Sequence, residues 1–178
     1  MKGLVGTTML IAGLWTGSVQ AQPAVTAPAA AAPTGIGGWR VNEEVRQLDN
    51  TRVYRAVLDS TNRMPNSIGR LEPATLIVRC SSGTFEIYIA WPGFIGTRSI
   101  PPVRYKFGEG EIKTEYWSPS DGGTGTFVRD TGAFANNLAA NSRLVVQAQP
   151  YRGGVQEAVF DLSGSAQAVT GAISACRR

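Results

Sequence analysis

The chain of 178 residues contains no histidine. That absence removes Ser-His and Cys-His nucleophilic pairs, the usual zinc ligand sets and the commonest general base. Neither Lys106 nor Lys113 follows a serine at the S-x-x-K spacing, so a serine–lysine hydrolase is not encoded either. Carboxylates remain. Glu109 and Glu111 sit two apart in Gly108-Glu-Gly-Glu111, and Asp121 lies in a second glycine-rich turn. Glycosidases work with two acids flanking the scissile bond, so an acid/base site for peptidoglycan, in an enzyme or an inhibitor of one, is one reading. Solvated turn acids that keep the strands soluble are the plainer reading, and the one favoured here. Asp121-Gly-Gly-Thr-Gly-Thr126 has the flavour of a calcium loop but lacks the later acidic ligands. No Gly-Lys-Ser/Thr follows it to make a phosphate loop. The residue types point away from catalysis, and no metal or cofactor is expected.

The N-terminus says where the rest works. Met1-Lys2 carries a positive charge, residues 3–17 carry none, and Leu4, Val5, Met9, Leu10, Ile11, Leu14 and Trp15 make an apolar core. Val19-Gln20-Ala21 supplies small residues for a cut, so 1–21 reads as a secretory signal peptide. It is too short and too glycine-broken to span a membrane, so no integral span is expected after cleavage. The expected compartment is the periplasm. There, the even pair Cys80 and Cys176 suggests a disulfide, with two free thiols as the alternative. On the chain-entropy account, closing so long a loop is worth about 4–5 kcal/mol.

Residues 22–38 read as a disordered linker, because Pro23, Pro28 and Pro33 interrupt a run of alanines that Gly35, Gly37 and Gly38 close. Residues 39–178 are expected to form one β-rich domain. Its clearest signal is a hairpin: Ala74 to Cys80, a three-residue turn Ser81-Ser82-Gly83 with a bulge, and the return strand Thr84 to Trp91. In the return strand Phe85, Ile87 and Ile89 share one face, and Glu86, Tyr88 and Ala90 the other. Val103-Arg-Tyr-Lys-Phe107 alternates apolar and basic residues as a half-exposed strand does. Further strands are expected at Trp39–Val41, Val53–Leu58, Ile112–Ser118, Gly125–Arg129, Leu144–Ala148 and Val155–Leu162. Thr131–Ala140 has Phe134 and Leu138 at helical spacing with Thr131 as a possible cap, and Ser163–Ala175 forms a second helix with Ser163 in that role. The expected fold is mainly β: an antiparallel sandwich or curved sheet with two short helices, the C-terminal one tied by the disulfide.

Arginines outnumber lysines heavily in a chain of formal charge +4, and they are scattered among acids. A nucleic-acid binder would gather them on one face, so no nucleic-acid partner is expected. Tyr88, Trp91, Tyr105, Tyr116 and Trp117 are the candidate binding surface, since such side chains often anchor interfaces. Core and strand-pair positions are the competing reading. Tyr88 is the aromatic most expected to face solvent.

Leu76-Ile-Val-Arg-Cys80 with Glu86-Ile-Tyr-Ile-Ala-Trp91, then Val103-Arg-Tyr-Lys-Phe107, then Ala158-Val-Phe-Asp-Leu-Ser-Gly164 before a helix ending in Cys176, together resemble the VasI/TagO-like family of exported proteins associated with type VI secretion. The resemblance covers residues 39–176. It implies a periplasmic accessory role through contacts with an envelope or secretion-system protein, and a Cys80–Cys176 bridge. No catalytic residues carry over. The alanine/proline segment and Pro92-Gly-Phe-Ile-Gly-Thr97 depart from the family pattern. The leading expectation is a non-enzymatic periplasmic protein that binds such a component through one face of its sheet. A carboxylate-using peptidoglycan protein and a structural envelope domain without a ligand are the alternatives.

Overall fold

A computed structural model describes residues 34–98, 102–150 and 154–177. The expected signal peptide, residues 22–33 of the expected linker and most of the loop between Pro150 and Gly154 lie outside them. In chain order the strands are β1 (Thr34–Ile36), β2 (Trp39–Val45), β3 (Arg52–Asp59), β4 (Met64–Pro65), β5 (Leu71–Glu72), β6 (Thr75–Ser81), β7 (Thr84–Ala90), β8 (Val103–Phe107), β9 (Lys113–Glu115), β10 (Ser118–Pro119), β11 (Gly125–Phe127), β12 (Arg143–Ala148) and β13 (Gln156–Asp161). The helices are α1 (Thr131–Ala140) and α2 (Ser165–Cys176). One sheet runs β1-β2-β3-β6-β7-β11-β10, a second runs β13-β12-β8-β9, and β4 pairs with β5. Every pairing is antiparallel. The fold is therefore mainly β, as the alternating sequence demanded.

Period-two burial builds the core. Ile87 and Ile89 on β7 are fully buried, as are Leu76 and Val78 on β6. Val103, Leu144, Val146, Ala158 and Phe160 of the smaller sheet join them in one continuous cluster. α2 lies against β3, β6 and β7, and the Tyr54 hydroxyl donates to the Ala168 carbonyl at 3.3 Å. Cys80 and Cys176 form a disulfide with Cα atoms 5.5 Å apart, fastening the last turn of α2 to β6. The outer edge of β13 is not left open. Thr61 N–H donates to the Val159 carbonyl, while the Asn62 side chain accepts from Val159 N–H and donates to the Glu157 carbonyl. Covering an edge in this way removes a template for strand addition.

Several local expectations need correction. The β6–β7 turn has two residues, not three with a bulge: Ser81 pairs with Thr84, and Ser82 and Gly83 both have positive φ. That is the type I′ geometry, whose twist matches the strands it joins. Asp130 rather than Thr131 caps α1, its Oδ1 accepting from Ala133 N–H at 3.0 Å. Gly164, not Ser163, occupies the N-cap of α2, with no side-chain cap bond. The expected strand Ile112–Ser118 splits into β9 and β10, which join different sheets. Thr34–Ile36, inside the segment read as linker, forms β1 against β2. Gly37 and Gly164, both at positive φ, let the two chain segments approach closely: a Cβ on Gly37 would lie 2.3 Å from the Ser163 carbonyl oxygen. Glycine there reports packing, where the composition suggested flexibility.

Candidate functional site

The five aromatic candidates do not form one surface. Tyr88 lies on the outer face of the large sheet, half-buried, its ring stacked on Phe127 at 4.6 Å with the Arg79 guanidinium 5.4 Å from its centroid. Arg79 Nε also donates to Glu86 across the strand pair at 2.9 Å. Tyr116 is exposed. Trp91, Tyr105 and Trp117 are core residues, so the expected aromatic surface is corrected to two separate rings, exposed Tyr116 and half-buried Tyr88, and Tyr116 rather than Tyr88 is the one that faces solvent most. Trp91 Nε1 donates to the Thr126 hydroxyl at 2.9 Å inside the protein. Tyr105 and Trp117 join Phe134 in an aromatic cluster beneath α1, with ring centroids 5.3–5.7 Å apart. The Tyr105 hydroxyl donates a hydrogen bond to Glu115 at 2.6 Å, and burial, reinforced by that carboxylate, pushes its phenol far above the ordinary range. The inward direction follows from β8 itself, where Tyr105 shares parity with Val103 and Phe107.

The carboxylates are equally dispersed. Glu109 is 89% exposed and sits 3.7 Å from Lys106, Glu111 is exposed in the same turn, and Asp121 lies in the β10–β11 turn. A pair of acids held across a substrate needs rigid opposing walls. Two residues of one exposed turn do not provide them.

A groove of about 550 Å³ opens beside the β4–β5 hairpin. Met64 and Pro65 of β4, with Asn66 and Ser67, form one wall; Phe94 and Val155 face it. No periodic signal along the chain marks this site, because every wall except β4 and the start of β13 is a loop. Its parts are nonetheless firmly held. Trp91 N–H bonds to the Thr124 carbonyl, and Ile95 and Gly96 N–H both bond to the Gly123 carbonyl, pinning the loop that carries Phe94. Gly123 provides the seat for that ring: a Cβ there would lie 2.3 Å from Phe94 Cε2. Phe94 is 51% exposed and Val155 55%. The β4–β5 hairpin that supplies Met64 and Pro65 also carries exposed Ile68 and Leu71, and the Asn66 carboxamide closes its turn by accepting from Ile68 and Arg70 N–H. Gln156 donates from Nε2 to the Pro65 carbonyl at 3.3 Å, while its buried Oε1 has no partner. Mainly apolar walls of this kind suit a ligand that brings an apolar group. The only sequence hint was Pro92-Gly-Phe-Ile-Gly-Thr97, which stood outside the family-like pattern.

No protein-family model matches the sequence, and no curated protein matches it. Among solved structures, the fold is similar to that of invasion associated protein B from Bartonella henselae, with a TM-score of 0.55 at 15% identity. The similarity covers 83% of this chain and all of that one. At that identity the likeness is one of fold.

Proposed function

We propose that this chain is an exported, non-enzymatic accessory protein of the cell envelope that docks a protein partner in the groove between Met64–Pro65, Phe94 and Val155. The groove carries the reading. Monomeric proteins seldom display clustered large apolar side chains without a partner; exposed Phe94 and Val155 both line this one concavity, and exposed Leu71 pairs with Pro65 of its wall. An exposed aromatic beside a pocket is a common anchor for binding energy. Placement in the periplasm rests on the signal-like residues 1–21 and accords with the disulfide. The non-catalytic reading rests on the missing histidine and on acids scattered over exposed turns. The VasI/TagO-like resemblance supports a partner in the type VI secretion apparatus or among its envelope neighbours. The docking face differs from the one expected at first: the groove at the end of the small sheet replaces the broad face around Tyr88.

Site-specific photo-crosslinking in cells tests this. A photoreactive residue at Phe94 or Val155 is expected to give a discrete adduct with one envelope or secretion component, and Val155→Glu is expected to abolish it. The same probe at Tyr88 serves as the control. Equal adducts from all three positions, or none from the groove, would overturn the docking site. Substrate turnover by the purified chain would overturn the non-enzymatic reading.

A further inference from the structure

A second groove, of about 320 Å³, lies between α1 and the β8–β9 turn. Lys106 and Lys113, the only lysines beyond Lys2, both line it, and so does Glu111. Asn137 of α1 and Asn141, the residue that caps its C-terminus, line it from the helix side, four residues apart. Asn137 Nδ2 donates to the Ala133 carbonyl at 2.8 Å and Asn141 Nδ2 to the Asn137 carbonyl at 2.9 Å. Those bonds fix which end of each carboxamide is the oxygen, because a carbonyl can only accept. Neither Oδ1 has a hydrogen-bond partner among the described residues. Half-buried Phe107 adds an aromatic wall, held edge-on to Phe134 at 5.1 Å.

The charges decide the ligand class. Lys106 of β8 lies 3.7 Å from Glu109, just outside the lining, and Glu111 lines the groove with Lys113 of β9, so these four charges sum to zero and the groove favours neither an anion nor a cation. It offers donors and acceptors side by side next to an aromatic ring, which is what an array of hydroxyls on a sugar ring requires. We infer that the groove between α1 and the β8–β9 turn binds a short neutral oligosaccharide, with Lys113, Asn137, Asn141 and Glu111 holding hydroxyls and Phe107 contacting the ring. The site is independent of the partner groove. Gly108 N–H bonds to the Arg143 carbonyl, at the end of the small sheet where Arg143 pairs Asp161, whereas Gln156 pairs Ala148 at the other end.

The test is an NMR titration of the oxidised chain with tetra-N-acetylchitotetraose, cellotetraose and, as an anionic comparison, trigalacturonate. The neutral sugars are expected to shift the Asn137 and Asn141 side-chain amides with saturation in the millimolar range or below. Asn137→Ala and Lys113→Ala should each weaken binding, roughly tenfold together, as lost hydrogen bonds do. Alanine is the better helix former, so Asn137→Ala should leave α1 formed, and an unchanged thermal midpoint checks this. Pelleting with purified peptidoglycan sacculi, also lost in these variants, would identify the wall polymer as the source; binding to the soluble sugars alone would identify a free one. Shifts with trigalacturonate only, or no shifts with any sugar, would overturn the inference whatever the crosslinking at Phe94 shows.

Discussion

Asp59 shows how one side chain can be read from its competing environments. Burial by itself would raise its carboxyl, but the Arg40 guanidinium and the Thr75 hydroxyl outweigh burial and hold it below the usual carboxylate value. A carboxyl with a lowered folded pKa stabilises the protein above its unfolded value of about 3.9. That contribution disappears as pH falls through the lower folded value, because the folded state then takes up its proton as well. Asp59 lies near the surface, so the effect is modest and screened by salt. Asp59→Asn should therefore lower the urea midpoint slightly at neutral pH and make it fall less steeply than the parent's towards about pH 3. Parallel slopes for the two proteins in the acid range would remove Asp59 from the explanation. The ladder from Arg40 through Asp59 to Thr75 also ties β2, β3 and β6 together on the outer face.

At the scale of elements, α2 depends on a position that breaks a helix rule. Gly171 sits inside it, where alanine would normally add about 1 kcal/mol of helix stability. A Cβ there would lie 2.4 Å from the Tyr54 hydroxyl and 2.7 Å from its Cζ. Tyr54 is 4% exposed and bonded to the Ala168 carbonyl, so the ring has little freedom to retreat. Overpacking of this kind typically costs about 1–3 kcal/mol and should cancel or exceed the propensity gain. Gly171→Ala is thus expected to lower the thermal midpoint, and Gly171→Ala with Tyr54→Phe to recover part of the loss. A stabilised single variant would mean that α2 rides higher on the sheet than these contacts require. α1 carries no such conflict: Phe134 and Leu138 face inward, and its polar side is left to Asn137 and Asn141.

For the whole molecule, the disulfide joins residues 96 apart in sequence and encloses β7 through most of α2. On the chain-entropy account a closed loop of that length stabilises the fold by about 4–5 kcal/mol. Cys80→Ser with Cys176→Ser should lower the unfolding free energy by a comparable amount in urea titration. A loss below about 1 kcal/mol would show that the reduced unfolded chain is already compact, or that α2 holds its place by packing alone. The bridge and the Gly37–Gly164 approach act at opposite ends of α2. The first fastens its last turn to β6, and the second fits the β1–β2 turn against its start. The N-terminal strands and the C-terminal helix are thereby fastened to one another at both ends of α2.

The patterns legible before any coordinates were the local ones. The β6–β7 hairpin, the alternating β8, the inward face of β7 and the apolar stripe of α1 follow from periods of 2 and 3.6 residues, and strand direction already implied that Tyr105 points inward. The missing histidine and the even cysteine count bounded the chemistry in the same way. Whether an aromatic outside a clean alternation ends in the core or in solvent depends on what packs over it, and neighbours distant in sequence supply that. Trp91 meets Thr126, and Trp117 meets Phe134, only once two loops close. The caps of both helices moved by one residue because backbone geometry at Asp130 and Gly164, rather than residue type alone, selects the cap. Both grooves are assembled from short strands, turns and one polar helix face, none of which leaves a repeating trace along the chain. A concave surface is a relation between segments far apart in sequence, so it exists only after the sheets have brought Met64 to Phe94, and Lys113 to Asn137.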